Sequence, residues 1–157
     1  MNDTAAPQPT FSLEKLYVKD LSLEVPNGPT IFLDREAPHI DLQLQTQATP
    51  INEGAFEVAV TVTVTARIAE KENKTMFLIE AKQAGIFQIM NVPEAELEVI
   101  LAVVCPNMLY PYLREVVSDA SVRAGFAPVL LSPINFESLF QQQKMQQMEQ
   151  VEAGVPH

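Results

Sequence analysis

The chain has 157 residues, 20 acidic against 10 basic side chains for a formal net charge of -10, 47% hydrophobic residues, 12 Pro, one Cys and no Trp. A single domain of that length buries roughly 70% of its unfolded surface, so neither a disulfide scaffold nor a structural metal is required, and Cys105 has no intrachain partner in any case. The acidic balance, with the basic residues scattered rather than striped, argues against a nucleic-acid backbone as partner and favours a basic protein.

Residues 1–10 are polar and lack the basic and apolar regions of a signal peptide, and no uninterrupted apolar run of about 18 residues follows anywhere. A disordered start, a cytoplasmic setting and no direct membrane insertion are expected. The first strand is irregular: Phe11 and Leu13 share one parity, Leu16 and Val18 the other, and Leu21, Leu23 and Val25 return to the first. Each switch predicts a bulge, and Pro26-Asn27-Gly28-Pro29 ends the strand. Ile40, Leu42 and Leu44 then alternate with Asp41, Gln43 and Gln45, and Phe56, Val58, Val60, Val62 and Val64 with polar or small residues. Period two with β-branched enrichment predicts two half-buried strands, joined as a hairpin through the turn residues Thr49-Pro50 and Asn52-Glu53-Gly54. After a polar turn at Glu70-Lys71-Glu72-Asn73-Lys74, residues 75–83 predict another strand, with Phe77, Ile79 and Ala81 on one face and Met76, Leu78 and Glu80 on the other.

From Pro93 the pattern is helical, with Glu94, Glu96 and Glu98 at the positive end of the dipole and Gly125 as the stop. Residues 99–105 are apolar all round, which demands burial on two sides. Pro106 and Pro111 each remove a backbone donor, so a kink or break is expected between Cys105 and Pro111. Residues 126–134 form an extended apolar connection, Asn135 caps a second helix, and residues 151–157 are expected to be a disordered tail. The fold class is α+β: a four-stranded antiparallel sheet, a long kinked helix and a C-terminal helix within residues 11–150.

The chemistry of an enzyme is scarcely represented. His39 and His157 have no partners at metal-ligand spacing, and no phosphate loop or dinucleotide fingerprint occurs, so neither a metal nor a cofactor is expected. Cys105, between Val104 and Pro106, reads as a small buried hydrophobe. His39 and Asp41 share a strand face and could orient a general base, but no third group accompanies them. Two features are less ordinary. Residues 126–148 carry a surplus of Phe, Leu and Met, suited either to oligomer packing or to a groove for varied apolar ligands. Asp20, Glu24 and Glu80 stand on strands, where solvated polar positions are the default.

Four separated stretches carry a resemblance. They are Leu16-Tyr17-Val18-Lys19-Asp20-Leu21-Ser22-Leu23-Glu24-Val25-Pro26-Asn27, Ala84-Gly85-Ile86-Phe87, Cys105-Pro106-Asn107-Met108-Leu109-Tyr110-Pro111-Tyr112, and Pro133-Ile134-Asn135-Phe136-Glu137-Ser138-Leu139-Phe140. In this order they resemble SecB, the bacterial protein-export chaperone family, over roughly residues 11–148. The resemblance implies a homotetramer, a dimer of dimers in which the sheets sandwich the long helices. It implies a holdase without nucleotide that keeps secretory precursors unfolded in the cytoplasm and delivers them to SecA. It places the client groove at Ile40, Leu42, Leu44, Phe77, Phe136 and Phe140, with Leu130, Leu131 and Met148 added, and the SecA contact at Asp20, Glu24, Leu78 and Glu80. The Gln/Met-rich residues 141–150 and the short end depart from the family pattern, which puts an auxiliary tail contact with SecA in doubt. Two rivals remain: a SecB-like chaperone of a toxin–antitoxin pair, and a hotdog-type thioesterase using His39 or an acidic residue at a dimer interface.

Overall fold

The computed structural model describes residues 7–68 and 74–154. Four strands, β1 (Thr10–Glu24), β2 (His39–Asn52), β3 (Ala55–Ile68) and β4 (Lys74–Met90), form one antiparallel sheet in the order β1-β4-β3-β2. The hairpin between β2 and β3 turns on Glu53 and Gly54, whose φ of +80 suits glycine. Thr49 and Pro50, expected in the turn, belong to β2 instead, and Pro50 is tolerated because β2 is an edge strand. The expected turn at residues 70–73 lies outside the described residues, as do Met1 to Ala6 and the last three positions.

Both parity switches in β1 are bulges: pairing with β4 slips between Leu13 and Lys15 and again between Val18 and Asp20. The extra residues return Leu13, Leu16, Val18, Leu21 and Leu23 to one face, opposite Phe87, Gly85, Gln83, Ala81 and Ile79. A third slip has the opposite consequence. Ala66 pairs with Phe77 but Arg67 with Thr75, so Met76 is an extra residue, 6% exposed and lining the same cavity as Phe77. The expectation that Met76 lies on the face opposite Phe77 is therefore corrected; a bulge places two consecutive side chains on one side.

One continuous helical rod crosses the inner face of the sheet. It comprises α1 (Glu94–Val99), a π-helical turn (Ile100–Val104) and α2 (Cys105–Arg123). The expected kink or break between Cys105 and Pro111 is not where the irregularity falls. Pro106 has no N–H for the Ala102 carbonyl, and the mismatch is taken up just upstream, where the Cys105 N–H reaches back five residues to Ile100. Leu109, Leu113 and Val117 are fully buried against Val58, Val60, Val62 and Phe87 in the core cluster. Close approach is possible because β4 carries Gly85, where a Cβ would lie 3.0 Å from Leu109 and 3.0 Å from the Phe87 ring.

The rod ends in a Schellman closure: Gly125, at φ +92, donates to the Val122 carbonyl and Phe126 to Ser121. Residues 126–135 run extended into α3 (Phe136–Ala153), capped by Asn135 Oδ1 accepting from the Ser138 N–H at 3.0 Å. Here α3 takes in Val151, Glu152 and Ala153, which sequence analysis placed in the tail, and β1 likewise starts at Thr10.

Candidate binding site

β2 is a free sheet edge, and its inward side chains, from Ile40 to Ala48, face the extended connection and α3 across a trench. Three cavities follow β2 in order. The first, of 460 Å³, is lined by Pro38, Ile40, Leu42, Met76, Phe77 and Phe126 and closed by residues 127–132. The second, of 520 Å³, lies against Leu44, Thr46, Ala102, Phe136, Leu139 and Phe140. The third, of 300 Å³, is bounded by Ala48, Leu101, Phe140 and an ion pair of Lys144 Nζ with Glu98 Oε2 at 3.2 Å.

Eight of the nine residues expected in a groove line these cavities: Ile40, Leu42, Phe77, Leu130 and Leu131 the first, and Leu44, Phe136 and Phe140 the second. Met148 lines none of the three. It is 67% exposed, one turn beyond Lys144 at the end of the third cavity. The eight differ in what they offer. Phe77, Leu131 and Phe136 are core residues at 2% exposure that present only an edge, whereas Leu42 and Leu130 stand 49% and 74% exposed. Pro38, Met76 and Ala102 also line the trench. The sequence did not assign them there, because their partners in the trench are distant along the chain.

On the outer face, Glu24 pairs with Leu78, Ser22 with Glu80 and Asp20 with Lys82, so Asp20, Glu24, Leu78 and Glu80 share one flat surface. The three carboxylates are exposed and Leu78 is half-buried between β1 and Thr65 of β3. The second bulge achieves this, because without the extra residue at Lys19 the parity of Asp20 and Glu24 would point inward. Toward the middle of this face Glu57 accepts from Lys19 Nζ at 2.6 Å and from the Tyr17 hydroxyl. These two hydrogen bonds, Lys19 foremost, hold the Glu57 carboxyl below its ordinary value.

The groups with reactive potential are otherwise engaged. His39 and Asp41 share a face as expected, with Nε2 at 3.4 Å from Oδ1, but Asp41 is also the acceptor of Arg67 Nη2, and His39 is mostly exposed. Cys105 is fully buried, and burial pushes its thiol up to about 12. Among the described residues no cluster of three or more His, Cys, Asp or Glu side chains is placed to hold a metal ion.

A family model described as "Preprotein translocase subunit SecB" matches residues 4–147 of the chain. The Protein-export protein SecB of Aromatoleum aromaticum is 61% identical over 139 residues, covering 88% of this chain and 86% of that one. That of Thiobacillus denitrificans is 51% identical over 152 residues, 97% and 98% of the two chains. Among solved structures, a SecB-like chaperone of Mycobacterium tuberculosis in complex with a peptide from an antitoxin superposes with a TM-score of 0.64 at 18% identity, over 79% of this chain and 90% of that one. At that identity the likeness is one of fold.

Proposed function

The chain belongs to the SecB family, and from that premise we propose that it is an ATP-independent holdase, which keeps secretory precursors unfolded in the cytoplasm and passes them to SecA. The observation that carries this reading is the trench along the unpaired edge of β2, where part-exposed apolar side chains and free backbone groups lie side by side. Such a site takes extended polypeptide: alternate side chains enter the cavities, while backbone hydrogen bonds to the edge are independent of sequence. A single segment held at about 1 μM corresponds to about -8.2 kcal/mol, and several trenches on one chain raise avidity roughly 10²–10⁴-fold while each contact stays reversible.

The acidic outer face, Asp20, Glu24 and Glu80 with Leu78 among them, is the SecA contact. It lies on the opposite side of the sheet from the trench, so client and motor do not compete for one surface. Assembly as a dimer of dimers accounts for the far side of the rod. Val99, Val104, Met108, Tyr112 and Val122 are exposed there, and the rod from Glu94 to Arg123 is long and apolar enough to cross a membrane by length and composition, with a mean hydropathy of 1.2 over its most apolar 18-residue window. Helices of partner chains, rather than lipid, cover that face in this reading. The 61% and 51% identical relatives, both named for protein export, support this reading over an antitoxin-specific chaperone.

The test is a double change, Leu42→Ser with Leu44→Ser. Each removes about 1 kcal/mol of apolar contact, so affinity for an unfolded precursor falls roughly 10- to 30-fold by fluorescence titration. The assembly mass stays constant. Full affinity in the variant would rule the trench out as the client site.

A further inference from the structure

The wall of the trench facing Ile40 and Leu42 belongs to no helix or strand, yet Val129 is 8% exposed, Leu130 74% and Leu131 2%, a sharp alternation for an irregular segment. Pro128 and Pro133 flank it and contribute no N–H donors. Its register is fixed by two side chains of α2. Ser121, fully buried, donates through Oγ to the Ser118 carbonyl at 2.8 Å and accepts the Val129 N–H at 2.8 Å. Tyr110, eleven residues earlier on the same helix, donates its hydroxyl to the Ser132 carbonyl. Its ring also meets Phe136 edge-on, centroids 5.7 Å apart, so the same residue braces the start of α3 and the second cavity.

We infer that Ser121 and Tyr110 are positioning residues for polypeptide capture: by pinning the two ends of residues 129–132 they set the width of the first cavity and hold Leu130 outward, ready for contact. The inference rests on the proposed capture function. Without the pins, the segment must be ordered at each binding event, and that entropic cost is subtracted from affinity. A buried hydroxyl that does no more than satisfy one amide would leave affinity for unfolded chains untouched once the fold is intact.

The experiment uses the full chain, with Ser121→Ala and, separately, Tyr110→Phe, which keeps the ring on Phe136. Two readouts are taken: affinity for a permanently unfolded probe, reduced and carboxymethylated lysozyme, and the mobility of a spin label at Leu130→Cys, with a label at Thr49→Cys on the opposite strand as control. Cys105 is fully buried and leaves the introduced thiol as the labelling site. Each variant is expected to weaken probe binding about tenfold and to mobilise the label at 130 while that at 49 is unchanged. Unchanged affinity overturns the inference whatever the label at 130 does, and so does equal mobilisation at both positions, which marks a general loosening of the fold. A parent chain that ignores the probe would contradict the capture reading itself, and the labels would still decide whether the wall is pinned.

Discussion

Glu57 sits between two donors on the outer face, and the cluster makes a pH signature at the scale of single side chains. Partial burial first, then the hydrogen bond to the Glu57 carboxylate and its charge, push the Tyr17 phenol from 10.0 up to about 12. A raised folded-state pKa contributes stability that is complete below pH 10 and is lost as pH climbs toward 12. Tyr17→Phe is therefore expected to lack this alkaline loss, so that the parent's urea midpoint falls relative to the variant's between pH 10 and 12. Parallel curves across that window would mean the phenol is not coupled to folding. Some of this scale is legible in sequence. Cys105 reads as buried because its neighbours Val103, Val104 and Pro106 leave no polar context, and it is fully buried. Met76 does not read correctly, since alternation alone cannot reveal a residue inserted opposite the Ala66–Arg67 step.

At the scale of elements, the contact of α2 with β4 depends on the absence of one Cβ. At Gly85 an added methyl would lie 3.0 Å from Leu109, 3.0 Å from Phe87 and 3.1 Å from Leu13, and all three side chains are packed into or against the core. Gly85→Ala is expected to cost about 1–3 kcal/mol through overpacking, read as a lower urea midpoint with the slope unchanged. A variant as stable as the parent would show that the helix rides free of the sheet at this point. The two bulges of β1 were visible in the sequence because an inner face must stay apolar, so each insertion leaves a parity switch behind it. The helix irregularity was harder to place. Proline marks where a donor is missing, but the backbone absorbs that loss over the preceding turn, and it does so as five π-helical residues rather than as a break. The far end of α3 was hidden for another reason: its Gln-rich sequence has little apolar face, and it still continues helical to Ala153.

At the level of the whole molecule, the outer face of the sheet exposes Asp20, Glu24 and Glu80, while the rod on its inner face leaves Val104, Met108, Tyr112 and Val122 exposed. Replacing Asp20, Glu24 and Glu80 with Lys is expected to lower SecA affinity at least tenfold while leaving unfolded-chain binding intact, because charges on an exposed rim govern one partner's approach. Surface plasmon resonance against SecA and titration with an unfolded chain separate the two, and equal loss of both would make the patch structural. The trench was half legible: the surplus of Phe, Leu and Met in residues 126–148 suited a groove as well as oligomer packing, and only the family resemblance assigned its residues on β2 and β4. Its lining comes from β2, β4, the π-helical turn, the connection and α3, and no local pattern announces that Met76, Phe126 and Pro38 converge. Light scattering of the purified protein, alone and with a slow-folding secretory precursor diluted from denaturant, bears most directly on the whole account. The expected result is a particle of four 17.4 kDa chains that takes up one client and suppresses its aggregation without ATP. A particle of a single chain mass, with the precursor aggregating as fast as in its absence, would contradict it.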